Sequence, residues 1–104
     1  MIIYQNYTNA AAHTLITKES KRNSSNTSHS GVISSVLISN NSANAATVGV
    51  YLDDDSVQHY FCKNVVIPTG ASFILDNDLS FDRGKYSFKV INAGTSPDIT
   101  VIIK

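Results

Sequence analysis

Short apolar runs, each ended by turn-forming residues, constrain the fold of this chain more than any other feature. They recur at intervals of roughly ten residues, and no stretch shows a convincing helical period. In the clearest example, Tyr86, Phe88 and Val90 share one face of a strand. Ser87 and Lys89 share the other face, so one face suits a core and the other suits water.

Turn residues separate these runs. Pro68–Gly70 ends the run Tyr60–Ile67, because Pro fixes φ and Gly supplies the conformational freedom that a reversal needs. Asp53–Ser56 is predicted to form a polar hairpin turn after the strand Thr47–Leu52, since Asp and Ser bond to nearby backbone. The other predicted extended runs are Ile2–Tyr7 (an edge strand or an arm), His13–Thr17, Val32–Ser39, Ala71–Leu75 and Asp98–Lys104.

These strands predict an all-β protein, an antiparallel β-sandwich of about seven or eight short strands, Ig-like or jelly-roll-like. An open-ended small barrel is the alternative. The 104 residues suffice for one two-layer core and not for two, so a single domain over residues 1–104 is expected. Residues 1–30 would supply an arm and a mobile loop, because Lys18–Ser30 contains no large apolar residue.

Charge and composition argue against several functions. The eight acidic and eight basic residues balance, so the chain has no electrostatic footprint for nucleic acid. No apolar segment approaches the roughly eighteen residues of a membrane span, and no export signal is visible. We therefore expect no nucleic-acid partner and no membrane. Cys62 is the one cysteine, which rules out an internal disulfide, and we expect it to be a small core hydrophobe.

The residue patterns contain no catalytic or metal-binding signature. His59 and Cys62 lie three residues apart, which on a strand places them on opposite faces. The run Asp53–Asp55 lacks the spacing of a calcium-binding loop, and the acidic residues within Asp76–Asp82 form a similar group. Weak cation binding is the alternative at both places. We predict that the protein is not an enzyme and has no catalytic residues, cofactor or metal.

Three predicted strands are apolar on both alternating sets of positions: Val32–Ile38, Tyr60–Ile67 and Ile99–Ile103. They imply more apolar surface than the interior of one small sandwich can hide. Large exposed apolar patches mark interaction sites, so we predict that copies of the chain associate with one another. The alternative is that short helices or the N-terminal arm cover the second faces.

A family resemblance rests on five pieces of the chain: Val36–Asn40, Thr47–Leu52, Lys63–Gly70, Leu75–Asp82 and Asp98–Lys104. Its most specific motifs are a lysine-asparagine pair before a Val-x-Ile-Pro-x-Gly turn and a Leu-Asp…Leu-Ser-Phe-Asp stretch. Over residues 31–104 the chain resembles small virion structural proteins of tailed phages that infect marine cyanobacteria.

The resemblance implies a non-enzymatic virion component of the head, neck or tail that acts through many identical contacts. Its partners would be further copies of itself and other virion proteins, and it would fold in the host cytoplasm before assembly, which suits a lone cysteine. The alternative function is a module that binds a host-surface glycan. In that case Tyr51, predicted to point outward, would stack against a sugar between the loops Lys18–Ser30 and Asp53–Ser56.

Overall fold

The computed structural model describes residues 2–18, 30–76 and 78–104, and every regular element in these ranges is a β-strand. The strands are β1 (Ile3–Tyr7), β2 (Ala12–Ile16), β3 (Ser30–Ile33), β4 (Val36–Asn40), β5 (Ala46–Asp53), β6 (Gln58–Ile67), β7 (Ser72–Leu75), β8 (Leu79–Asp82), β9 (Ser87–Ala93) and β10 (Ile99–Ile103). The described residues include no helix long and apolar enough to cross a membrane.

Two four-stranded antiparallel sheets contain most of these strands. Sheet A has the order β1-β10-β4-β7, and sheet B has the order β2-β9-β5-β6. The strands β3 and β8 form a small two-stranded sheet. The pairs are nested, because β5 pairs with β6, β4 with β7, β3 with β8, β2 with β9 and β1 with β10. A long antiparallel hairpin rolled into two sheets in this way is a jelly roll.

The predicted β-sandwich is therefore confirmed, and the strand order selects its jelly-roll form. The predicted number of strands is too low. Val32–Ser39 is not one strand, because the N–H groups of Ser34 and Ser35 donate to the Lys104 carbonyl at 2.6 and 3.2 Å and divide it into β3 and β4. The sequence does not predict β8, whose four residues are too few to show alternation. Residues 19–29 of the predicted loop lie outside the described residues.

The core lies between sheets A and B and is built from alternate residues of their central strands. On β9, Phe88 and Val90 are buried, as alternation predicts, and alternate side chains of β10 and β5 are buried with them. Fully buried members include Val36, Ile38, Val50, Phe88, Val90, Ile99, Val101 and Ile103, each 0% exposed. Tyr86, just before β9, is only half-buried but packs against this cluster.

The face of β9 predicted to lie in water is partly covered. Ser87 is buried, and its Oγ accepts a hydrogen bond of 2.9 Å from the Lys18 N–H. Lys89 is half-buried and forms an ion pair with Asp53, with Nζ and Oδ2 3.0 Å apart. Alternation therefore predicts the inner face of this strand correctly and the exposure of its outer face incorrectly.

One buried polar residue, Asn40, connects three segments at one end of the sandwich. Its Nδ2 donates to the carbonyls of Ile67 at 2.9 Å and Asn44 at 2.8 Å. Its Oδ1 accepts from the N–H and the hydroxyl of Ser42 at 3.0 and 2.7 Å. Its carbonyl accepts from the Gly70 N–H at 2.9 Å, so the end of β4 is fixed to the end of β6 and to the turn that follows.

That turn forms as predicted. Gly70 has a φ of 75°, a conformation that glycine adopts without the steric cost of a Cβ. The Ala71 N–H donates to the Pro68 carbonyl at 3.0 Å and closes the reversal between β6 and β7. Because β6 belongs to sheet B and β7 to sheet A, this turn carries the chain from one sheet to the other.

Candidate functional site

An apolar row crosses the outer face of sheet A. Tyr4 pairs with Ile102, Ile102 pairs with Leu37, and Leu37 pairs with Ile74, so each strand contributes one side chain to the line. Tyr4 is 65% exposed and Ile74 is 62% exposed, while the two central members are half-buried. We refer to these four residues as the apolar row. On a sheet with one solvated face, these positions would normally carry polar side chains.

A polar row borders the apolar row, two residues further along each strand. It consists of Asn6, Thr100, Ser39 and Ser72, in continuous register across the sheet. Asn6 Nδ2 donates to Thr100 Oγ1 at 3.3 Å, and the hydroxyls of Ser39 and Ser72 lie 2.9 Å apart. The outer face therefore combines a continuous apolar line with a border whose polar groups bond to one another, which is the composition of a protein contact surface.

On its other side the apolar row meets Ser35 and Lys104, which line a shallow depression together with it. The depression has a volume of about 270 Å³. Small-molecule sites usually enclose about 300–1,000 Å³ and bury most of their ligand. The volume of this depression lies just below that range.

The outer face of sheet B holds Tyr51, the residue predicted to contact a glycan. The predicted exposure is wrong, because Tyr51 is only 2% exposed. Its cross-strand neighbours Tyr60 and Lys89 cover it, and the two tyrosine rings lie 4.8 Å apart between centroids. Burial raises the pKa of the Tyr51 phenol, and the charge of Lys89 acts in the opposite direction. A buried ring cannot serve as a stacking platform in this conformation.

The acidic run after β5 forms the predicted hairpin turn. Asp53 Oδ1 accepts from the Asp55 N–H at 2.9 Å, and Asp54 Oδ1 accepts from the N–H groups of Ser56 and Val57 at 2.9 and 2.7 Å. Asp55 has a φ of 75°. These carboxylates therefore stabilise the turn itself, and backbone hydrogen bonds from Val57 and Ser56 lower the pKa of Asp54.

Two ion pairs add to the turn. Lys89 donates to Asp53 and lowers the pKa of that carboxyl, while the same contact raises the pKa of Lys89. Lys18 forms an ion pair with Asp55. In the second acidic group, Asp82 Oδ1 accepts from the Gly84 N–H at 2.8 Å, which caps the turn between β8 and β9. Within the described ranges, no three His, Cys, Asp or Glu side chains are grouped so that they could hold a metal ion.

The remaining candidate groups lie apart from the apolar row. His59 Nε2 is 3.9 Å from Asp54 Oδ2, and its ring meets the Tyr86 ring edge-on with centroids 5.6 Å apart. Cys62 is half-buried against the core, as expected for a small hydrophobe, and burial raises the pKa of its thiol. His13 stacks on Tyr7 with centroids 3.8 Å apart.

The sequence identifies only half of the apolar row. Leu37 and Ile102 belong to strands that are apolar on both sets of positions, but Tyr4 and Ile74 lie in short runs without that property. What unites the four is strand register, since they are neighbours across sheet A and distant in the chain. The sequence signal for the row is one apolar residue at an outward position of each strand of sheet A. These residues can be recognised as a row only when the strand order is known.

No protein-family model and no curated protein matches this chain. Among solved structures, it is similar to a chain in the structure of the infectious bursal disease virus Gx strain. The identity is 5% and the TM-score is 0.42. The match covers 99% of this chain and 29% of that chain, so this chain spans less than a third of the length of the protein it matches.

Proposed function

We propose that this protein is a non-enzymatic structural component of a phage virion and that it assembles through contacts between identical copies and with other virion proteins. It folds in the host cytoplasm and is then incorporated into the particle. The observation that carries the proposal is the apolar row on the outer face of sheet A, because this row lies on the face away from the core and exposes Tyr4 and Ile74. An apolar line bordered by polar residues is suited to contact with another protein.

The size of this face supports an assembly of many copies rather than an isolated tight dimer. Four strands about 4.8 Å apart, each with about five residues of 3.4 Å, present roughly 300 Å². A stable interface usually buries about 800 Å² on each partner. One such contact is therefore weak, and it becomes effective when several contacts form at once in a ring or lattice.

The family resemblance supports the phage context of the proposal. Two members of the apolar row, Leu37 and Ile102, lie within the pieces that carry the resemblance, Val36–Asn40 and Asp98–Lys104. The outward face of the resembling strands is thus part of the proposed contact. The jelly roll is also a fold that viral capsid proteins use, although it supports many other functions.

Two variants of β7 test the contact. Ile74→Lys places a charge in the apolar row, whereas Ser72→Lys places the same charge on the same strand and the same face, in the polar row. Both positions are exposed, so both variants should fold. Sedimentation velocity over a range of concentrations should show assemblies larger than a dimer for the wild type and for Ser72→Lys, and their loss in Ile74→Lys. A wild type that stays monomeric at about 1 mM, a concentration at which contacts worth only about 4 kcal/mol are half-formed, contradicts the proposal.

The place in a virion is tested separately. Mass spectrometry of intact, purified particles should detect the chain at a copy number that matches a ring or lattice, and antibody labelling should assign it to head, neck or tail. Its absence from particles made in cells that express it would remove the virion role and leave the self-association intact.

The alternative function, glycan binding, is favoured by one observation on sheet B. Tyr60 is half-exposed beside the Asp53–Ser56 turn, and together with Gln58 and Lys63 it lines an open polar depression. Lys63 Nζ lies 5.0 Å from the centroid of the Tyr60 ring. A sugar would therefore have to displace this ammonium group before it could stack on the ring. Glycan-array binding that is lost in Tyr60→Ala would support this alternative, and binding that persists unchanged would contradict it.

A further inference from the structure

The edges of the sheets differ in how well they are protected against pairing with another strand. Natural proteins protect edges with bulges, charges or very short strands. On β6, Asn64 has a φ of 56° and Lys63 adds a charge. On β2, the register shifts between Thr14 and Ile16. The edge strand β7 has four residues and is followed by Asp76, and both strands of the small sheet also have four residues each.

The fourth edge of the two large sheets, β1, lacks these protections. Its five residues pair with β10 in an unbroken register, and among the described residues its other side meets no strand. The strand Ile3–Tyr7 contains no proline, glycine or charged residue. Asn6, its most strongly bonded side chain, turns toward β10, where its Nδ2 donates to Asp98 Oδ1 at 2.8 Å and to the Ile99 carbonyl at 3.1 Å. Within the part of the chain that the structure describes, the free edge of β1 is therefore left open.

We infer that β1 pairs with β1 of a second copy, antiparallel and around a two-fold axis at Gln5. This inference deepens the proposed function, because it names one contact from which the assembly is built. It joins two copies of sheet A into a single eight-stranded sheet. Unpaired N–H and C=O groups on both edges then satisfy one another, as in other cases of strand addition.

The residues of β1 identify a second copy as the occupant. Around an axis at Gln5, Ile3 lies opposite Tyr7 of the second copy, and Tyr4 lies opposite its Asn6. Ile3 and Tyr7 are both half-buried on the core side at the border of sheet A, so each gains an apolar cross-strand neighbour. A charged strand would repel itself across such an axis, but β1 is uncharged along its whole length.

The proposed pair is also continuous with the apolar row. Tyr4 is both the exposed end of that row and a member of β1. Joining the two copies at β1 places their rows side by side on one face, so that the combined surface is roughly 600 Å² by the same strand spacing. This area approaches the roughly 800 Å² per partner of a stable interface. Pairing at β1 thus enlarges the apolar surface on the outer face of sheet A that is available for further contacts.

Charge substitution at the axis tests the pairing. Gln5 is exposed, so Gln5→Lys and Gln5→Glu should both fold. Each variant alone places like charges opposite each other, and its dimer dissociation constant should rise roughly tenfold or more in low salt. An equimolar mixture of the two variants should restore dimers, because opposite charges then meet. Unchanged association of both single variants overturns the inference.

A disulfide tests the register. In a Cys62→Ala background, Gln5→Cys should give a covalent dimer under mild oxidation, because residues facing each other across an antiparallel pair lie within disulfide reach. Ser72→Cys, on the opposite edge strand of sheet A, is the matched control and should not. Equal cross-linking of both cysteines overturns the inference.

These outcomes separate the inference from the proposed function. If Ile74→Lys abolishes larger assemblies while Gln5→Cys still gives the covalent dimer, both contacts are supported. If the Gln5 variants associate like the wild type but Ile74→Lys does not associate, the edge pairing fails and the assembly function stands. A strictly monomeric wild type, together with a Gln5→Cys variant that does not cross-link, overturns both.

Discussion

The substitution Asn40→Asp tests whether the hydrogen bonds of one buried amide hold three segments together. Asn40 is 1% exposed, and its Nδ2 donates to the carbonyls of Ile67 and Asn44. An aspartate has the same shape but replaces both donors with an acceptor, so two carbonyls face an oxygen. Each buried acceptor left without a donor costs about 1–3 kcal/mol, and we therefore expect a loss of about 4 kcal/mol.

Chemical and thermal denaturation measure this loss. A domain of this size is usually stable by roughly 5–15 kcal/mol, so the variant should still fold. Its Tm should fall by on the order of 20 °C, since 1 kcal/mol corresponds to about 4–8 °C for a chain of about this length. The matched control is Asn41→Asp, at an exposed neighbour whose Nδ2 makes one hydrogen bond to Thr100 Oγ1 at 2.9 Å. A loss in Asn40→Asp no larger than that in Asn41→Asp would refute the reasoning.

Two further predictions concern the outer face of sheet B. The hydrogen bond from Lys89 lowers the pKa of Asp53, so this carboxylate stabilises the fold above its unfolded pKa of about 3.9 and loses that contribution as pH falls through the lower folded value. Between about pH 6 and pH 3, the unfolding free energy should therefore fall less in Asp53→Asn than in the wild type, by roughly 1 kcal/mol. Urea titrations at a series of pH values measure this difference. An identical pH dependence of the two proteins would contradict the role of the ion pair. In Gly49→Ala, the new Cβ would lie 3.1 Å from Ile91 Cγ2 and 3.2 Å from Tyr60 Cε2. This crowding should lower the unfolding free energy of the variant by about 1–2 kcal/mol in urea titrations. If the variant is as stable as the wild type, the neighbouring side chains move aside without cost and the reasoning is wrong.

The parts of the fold that the sequence predicts are those that depend on neighbours along the chain. Alternation in Tyr86–Val90 assigns the inner face of Phe88 and Val90 correctly, because the period of a strand is a local property. Turn chemistry at Pro68–Gly70 and Asp53–Ser56 is equally local and also agrees with the structure.

The features that the sequence misses depend on partners distant in the chain. The break between β3 and β4 is due to the Lys104 carbonyl, and the burial of Tyr51 is due to side chains on β6 and β9. The apolar row has the same character, since Tyr4 and Ile74 become members only through the order β1-β10-β4-β7. Alternation says that a residue points away from the core, but only register says what lies beside it there.

Nested pairing also determines the order in which the domain can form. The hairpin of β5 and β6 needs only a tight turn, and each pair outside it becomes easier to close once the pair within it has formed. The outermost pair joins residues 3 and 103, so β1 waits for β10 to leave the ribosome before it can dock. Topologies dominated by such distant contacts fold slowly, in milliseconds to seconds. We therefore expect chains refolded at high concentration to exchange their first strands, whereas rapid dilution during refolding should favour the monomer.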